Sequence, residues 1–418
     1  MTYRTKAALL AAAALAGLTA VSPSAYADEA SAGPRIDGSG ECTFPMKKQI
    51  AGIPWSLQRV LLDELWQDTK GKGVRVAVID TGVDDVNPQL KPAVDASAGK
   101  DFLKPEKDAV DKAASDRGKT DGTVDEVGHG TKVAGIIAAR PRKGTGFVGL
   151  APEATIIPIR QNDEKNSGKS DTMADAIDHA IAKGAHVINI SQDTTQALDA
   201  QSSLGQAVAR AVAKEIVVVA SAGNDGMDGK LKNTYPAAFP GVLAVASSDR
   251  NNERAAFSQA GEFVGVAAPG VDVVSTVPGG GQCVDNGTSF SAPYVAGLAA
   301  LLRAKHPKWE AHEIIAQIEQ TAERSINGRD NFVGWGVVDP VRALNESEDE
   351  KPPQSPAPDP DPPKPPAPEP AHLALSETPQ ERDERYATYA LGIGGVLVAV
   401  VAGTATVVRD SRRSRRLQ

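Results

Sequence analysis

Apolar and polar positions alternate in blocks between about residues 72 and 344. Apolar runs occupy residues 74–79, 186–190, 216–220 and 242–246, with a fainter one at 156–159. Runs this short suit strands buried on both faces, as in a parallel sheet. Between them the period lengthens. Residues 171–183 place Met173, Ala176, Ile177, Ala180 and Ile181 on one helical face, and Gly184 ends the pattern. Residues 201–214 read as the helix before the strand at 216–220. Residues 289–305 are a long helical stretch rich in Ala and Leu that stops before Pro307, and 309–322 follow as another. Strands alternating with helices predict an α/β fold: a doubly wound, mostly parallel sheet with helices on both faces. One stretch breaks the rhythm. Residues 100–126 are rich in Asp, Lys and Gly and read as a long, mobile charged loop, either a substrate-selecting element or a solvated insertion.

The two ends have their own patterns. Arg4 and Lys6 precede an apolar core at 7–20, and Ala25-Tyr26-Ala27 makes a small-x-small cleavage site before Asp28. Residues 1–27 therefore read as a signal peptide, the apolar run being short for a membrane anchor. Residues 389–408 are uncharged and apolar, long enough to cross a bilayer as a helix, and Arg409, Arg412, Arg413, Arg415 and Arg416 follow directly. Such a cluster stays cytoplasmic, which puts the bulk of the chain outside. Residues 351–370 are dominated by Pro with Asp, Glu and Lys, a composition that favours extended polyproline II over a packed core. The expected order is a signal peptide (1–27), an N-terminal extension (28–54), the α/β domain (55–347), a Pro-rich linker or stalk (348–385), one transmembrane helix (386–408) and a basic cytoplasmic tail (409–418). The expected location is the cell membrane, single-pass, with the main domain extracellular.

Charge and composition narrow the partners. A formal net charge of -8 gives no electrostatic footprint for nucleic acid, and 4% aromatic residues leave little for stacking on single strands. Two cysteines are present, Cys42 and Cys283. An exported chain meets an oxidising compartment, so the pair reads either as one disulfide or as two buried thiols. No cofactor or metal is called for, and no calcium ligand set can be assigned from the sequence.

The candidate chemistry lies in three strings: Val78-Ile79-Asp80-Thr81-Gly82, Gly128-His129-Gly130-Thr131 and Gly287-Thr288-Ser289-Phe290-Ser291-Ala292-Pro293. Serine is a poor nucleophile at neutral pH and needs a base, and the base needs a group to hold it. His129 is the candidate base, Asp80 the group that fixes its tautomer, and Ser289 the nucleophile. Asp80 follows an apolar run and so falls at a strand's carboxyl end, where α/β sites form. Ser289 opens a helix, whose positive end faces a developing oxyanion. Asn224, in Ala222-Gly223-Asn224-Asp225-Gly226, offers an amide to that oxyanion, although Asn-Asp-Gly would also suit a simple turn. Of the six histidines only His129 has such a frame.

These residues carry a resemblance. Over about residues 55–344 the chain resembles the subtilisin-like serine proteases (subtilases), on Asp80, His129, Asn224 and Ser289 in that family's order. Within them it is similar to the mycosins, the membrane-anchored proteases of actinobacterial type VII secretion. That likeness rests on the signal peptide, Gly-Thr-Gly-Phe-Val-Gly at 144–149, Ile159-Arg160-Gln161, the Pro-rich stalk and the C-terminal anchor. The resemblance implies a subtilisin-like fold and a serine endopeptidase that hydrolyses polypeptides through an acyl-enzyme. It also implies association with the type VII secretion membrane complex; the competing reading is a structural subunit of that complex with proteolysis secondary. Ser191, Gly168 and Gly223 are implied as substrate-binding residues.

Departures from the family pattern are informative. Lys132 stands where many secreted subtilases have His, and Ser191-Gln192-Asp193 replaces the usual Ser-Leu-Gly, which sets aside the common preference for large apolar side chains. Only about fifty residues separate the cleavage site from Asp80, too few for a separately folding propeptide as well as the first strand. As in mycosins, residues 28–54 are expected to wrap on the catalytic domain, not to act as a removable inhibitor.

Overall fold

The computed structural model describes residues 42, 44–46, 49–103, 118–163, 168–346, 352–360 and 376–416. The expected signal peptide, the first part of the extension, residues 104–117 of the charged loop and residues 361–375 of the linker lie outside the described residues.

In chain order the main unit contains α1 (Trp55–Gln58), α2 (Leu62–Leu65), β1 (Arg75–Asp80), β2 (Lys100–Asp101), α3 (His129–Ala138), β3 (Thr155–Arg160), α4 (Ser170–Ala182), β4 (Val187–Ile190), α5 (Ser203–Val212) and β5 (Val217–Ser221). It continues through β6 (Val242–Ser248), β7 (Val264–Pro269), β8 (Val273–Thr276), β9 (Gln282–Asp285), α6 (Thr288–Lys305), α7 (Ala311–Gln320) and α8 (Pro340–Asn345). Seven strands form one parallel sheet in the order β2-β3-β1-β4-β5-β6-β7, and β8 and β9 pair separately as an antiparallel ribbon.

The sheet is buried on both faces, as the apolar runs require. In β1, Val76 and Val78 join one hydrophobic cluster while Ala77 and Ile79 join the other, the period-two alternation of a strand. The first cluster takes in Val133, Ile137, Val295, Leu298 and Ile314 from α3, α6 and α7. The second takes in Met173, Ile177, Leu204 and Val208 from α4 and α5. On α4 the sequence-predicted face is the buried one: Met173, Ala176, Ile177 and Ala180 are all in the core. From β1 the chain goes to the edge strand β2 and returns to β3 on one side, then runs from β4 to β7 on the other. The reversal falls between β1 and β4, and the carboxyl ends of strands at such a point open a crevice.

The extension is tied down. Cys42 and Cys283 form a disulfide with Cα atoms 5.9 Å apart, so the two cysteines are not free thiols. Met46 N–H donates to the Gly280 carbonyl at 2.9 Å, and Ile50 N–H to Gln282 Oε1 at 2.9 Å. The Ile50 carbonyl accepts from Gly146 N–H at 3.1 Å and from Thr145 Oγ1 at 2.8 Å. The described part of the extension thus lies along the β8–β9 ribbon and the 144–149 segment.

The Pro-rich region begins against the same unit. Arg324 donates to the Ala357 carbonyl at 2.7 Å and pairs with Asp359 at 3.1 Å, while Ala357 N–H donates to Gln320 Oε1 at 2.7 Å. Residues 352–360 of the expected Pro-rich linker are therefore laid on the end of α7. A second unit contains α9 (Pro379–Ser414), capped by Thr378 and Glu381. It is apolar and long enough to cross a membrane, with mean hydropathy 2.2 over its apolar part.

Replacing both Cys42 and Cys283 by serine is expected to cost about 2–4 kcal/mol, the usual range for a bridge that closes a long loop. Thermal unfolding of the oxidised protein beside the double variant checks this, and an unchanged midpoint would contradict it.

Candidate active site

Asp80 ends β1 fully buried, and His129 is the first residue of α3. Asp80 Oδ1 accepts from His129 Nδ1 at 2.7 Å and from Thr81 N–H at 2.7 Å. Burial disfavours the charged imidazole, but the Asp80 carboxylate outweighs it, and His129 is held above its ordinary pKa. The Phe290 ring lies 5.4 Å from the imidazole, tilted at 46°. Gly130 allows the close approach of helix to strand: a Cβ there would land on the Gly82 carbonyl oxygen and 3.0 Å from the Asp80 Cβ.

Ser289 is the second residue of α6. Its Oγ donates to the Ser191 carbonyl at 3.1 Å, and Ser191 Oγ donates to the Ser289 carbonyl at 2.8 Å. Asn189 Nδ2 donates in turn to Ser191 Oγ at 2.9 Å. The end of β4 is thereby locked to the start of α6. Asn224 follows β5; its Oδ1 accepts from Thr288 N–H at 3.0 Å and Thr288 Oγ1 at 3.1 Å. That orientation fixes the amide and leaves Nδ2 without a partner among the described residues, unlike a turn asparagine bonded to its own loop.

Of the implied substrate-binding residues, Ser191 and Gly223 stand beside Ser289 and Asn224 respectively. Gly168 has φ +74° and packs on the Gln161 side chain. Gln161 Nε2 donates to Gln192, and Gln192 Nε2 to Asn162. The polar Gln192 is therefore consumed in a network joining the ends of β3 and β4. Lys132, the other departure, pairs with Asp285 of β9 at 2.6 Å.

Sequence reasoning missed the residue that assembles the site. Asp125 is buried and accepts four hydrogen bonds: from Thr81 Oγ1 (2.8 Å), Gly128 N–H (2.8 Å), Thr131 N–H (2.8 Å) and Thr131 Oγ1 (2.5 Å). Burial pushes its carboxyl up against the downward pull of these donors. Residues 121–126 had read as part of a mobile loop, yet Asp125 sits inside and Glu126 pairs at 2.8 Å with the fully buried Arg160. Arg160 also reaches Asp101 at 3.4 Å. The available signal was position: an acid four residues before His129, beside a Thr on each of the two motifs.

The profile of the Subtilase family matches residues 71–336. Subtilisin E of Bacillus subtilis (strain 168) is 34% identical over 288 residues, which cover 68% of this chain and 70% of that protein. Mycosin-1 of Mycolicibacterium smegmatis is 34% identical over 366 residues, covering 75% of this chain and 77% of that protein. The solved structure of the MycP3 protease from the type VII (ESX-3) secretion system is similar with a TM-score of 0.62 at 33% identity, over 71% of this chain and 91% of that one. The chain belongs to the subtilase family. Within it, this is a subtilisin-like serine protease with mycosins among its relatives.

Asp125→Ala would leave four buried donors facing a cavity. A loss of about 3–5 kcal/mol is expected, as for other buried charge networks with one member removed. Chemical unfolding measures it; a loss below about 1 kcal/mol would mean that Asp125 does not hold the two motifs together.

Proposed function

We propose that the chain is an endopeptidase in which Asp80, His129 and Ser289 act as a catalytic triad and Asn224 as an oxyanion donor. The observation that carries this reading is the 2.7 Å contact of His129 Nδ1 with the buried Asp80, in a crevice where Ser289 opens a helix. Asp80 keeps the proton on Nδ1, so Nε2 is free to act as base. Ser289 Oγ, resting on the Ser191 carbonyl, turns to His129 Nε2, gives up its proton and attacks the peptide carbon. Negative charge on the carbonyl oxygen meets the Ser289 backbone N–H at the start of α6 and the Asn224 amide. His129 passes its proton to the leaving amine, which leaves an acyl-enzyme. Water then enters, with His129 as base again.

The same reading puts this domain outside a membrane, held by α9 with its run of arginines on the cytoplasmic side. The expected signal peptide supports it. The link to a type VII secretion membrane complex is supported by similarity to Mycosin-1 and to the MycP3 structure. A structural role within such a complex is the second reading, favoured by the length of the exposed helix α9. Export that persists unchanged in cells carrying Ser289→Ala would favour the structural role; export that fails would favour catalysis.

Ser289→Ala is expected to abolish labelling by a fluorophosphonate probe, and labelling that persists would sink the assignment. Asn224→Ala should lower kcat about 10²–10³-fold if its amide meets the oxyanion. A loss under about threefold would return Asn224 to a turn role.

The topology has its own check. Truncation after Pro360, which keeps the segment docked on α7, should release a soluble, labelling-competent domain. Retention of that form on membranes would require a second anchor.

A further inference from the structure

The crevice has one acidic wall that the mechanism above does not use. Residues 191–193 leave β4 directly beside Ser289, and Thr194 is held by backbone hydrogen bonds of 3.0 and 2.9 Å with Tyr235. Across from them Gly223 has φ +98°, a conformation that excludes a side chain. The point where its Cβ would stand is 2.8 Å from Asp193 Oδ2 and 3.0 Å from Thr234 Cγ2. Asp193 thus turns its carboxylate into the gap between the two segments that flank the nucleophile. On the proteolytic reading the attacked carbonyl lies between Ser289 and Asn224, and the side chain next to it would enter the gap that adjoins both.

Three observations say what chemistry the gap takes. Gln192 is tied to Gln161 and Asn162 and is not available to a substrate. Among the described residues Asp193 has neither a hydrogen-bonding nor an ionic partner. Asp193 is exposed as a residue, with its carboxylate crowded by protein only on the side that faces Gly223 and Thr234. Desolvation on that side, and then the charge of Asp225, push its carboxyl up to about 6. Above that pH the carboxylate is ionised and uncompensated, next to a second acid. An apolar side chain would add to its desolvation, whereas an ammonium or guanidinium would offset the repulsion from Asp225 and give the carboxylate a partner.

We propose that Asp193 selects lysine or arginine as the residue whose carbonyl is cleaved, a choice that rests on the proteolytic site proposed above. The position is a specificity determinant, not part of the proton relay: it touches the side chain of the substrate, not the reacting atoms.

The test uses the full-length protein in detergent and peptidyl aldehydes that differ only in the last residue. Protection of Ser289 from the fluorophosphonate probe is titrated with a peptidyl-argininal, a peptidyl-lysinal and a peptidyl-norleucinal. The two basic aldehydes are expected to protect at concentrations at least about tenfold lower than the norleucinal, the scale of a partly desolvated ion pair. Asp193→Asn should bring the three within about threefold, and Asp193→Glu should retain part of the preference. Equal protection by all three in the unaltered protein, or a preference that survives in Asp193→Asn, overturns the proposal. Absence of labelling at Ser289 is a separate outcome, which overturns the proteolytic reading and this one with it.

Discussion

One buried carboxylate decides whether the site exists. Asp80 and His129 come from different parts of the chain, the first from the end of a central strand, the second from the start of a helix that crosses back over the sheet. Nothing in either element alone sets their separation. Asp125 bridges them by accepting from Thr81 on one side and from Gly128 and Thr131 on the other, beside a direct bond of 2.9 Å from Gly130 N–H to Thr81 Oγ1. A carboxylate without solvent is unfavourable unless its lone pairs are filled. Here they are filled by donors that belong to the two motifs, so satisfying the charge and aligning the imidazole are the same event. The neighbouring Glu126–Arg160 pair carries the alignment on to β3.

The sheet supplies the other half of the constraint. β1, β4 and β5 end on one side of the sheet, with Asp80 the last residue of β1, Ser191 the first after β4 and Asn224 the third after β5. Each then binds a helix start: Asp80 meets α3 through His129, and Ser191 and Asn224 meet α6 through Ser289 and Thr288. Helix N-termini carry unpaired backbone donors and partial positive charge. Placing two of them over the carboxyl edge of a parallel sheet concentrates polar groups that suit developing negative charge. The fold and the chemistry are thus connected through backbone geometry before any side-chain preference enters.

Much of this was legible in the sequence. The apolar runs at 74–79, 186–190, 216–220 and 242–246 correspond to β1, β4, β5 and β6 within a residue or two, because strands buried on both faces leave no room for polar residues. Of the helices, α4 was readable from its periodic apolar face, and α6, buried almost all round, from its run of Ala and Leu. β7 was not: Val264-Gly265-Val266-Ala267-Ala268-Pro269 is short and built of small residues, and its identity comes from pairing with β6. The β8–β9 ribbon escaped because its residues pack against α3 and the extension, contacts of high sequence separation. Asp125 escaped because composition cannot distinguish the one acid that goes inside from its solvated neighbours in a charged segment. Gln192 and Asp193 stood out as departures, but only the fold shows that one is engaged by Gln161 while the other faces Gly223.

The Lys132–Asp285 pair shows how such departures are absorbed. Lys132 lies one turn after His129 on α3, and Asp285 lies four residues before Ser289, so the contact spans the two segments that carry the base and the nucleophile. Lys132 is mostly covered, so losing Asp285 would leave its charge poorly solvated, whereas Asp285 keeps its own contact with solvent. The dependence is therefore one-sided: the lysine needs the acid more than the acid needs the lysine. An uncharged side chain at the place of Lys132 can coexist with an acid at the place of Asp285, but not a lysine with an apolar residue there. Grafting the lysine without its acid into another member of the family would transplant a conflict instead of a trait.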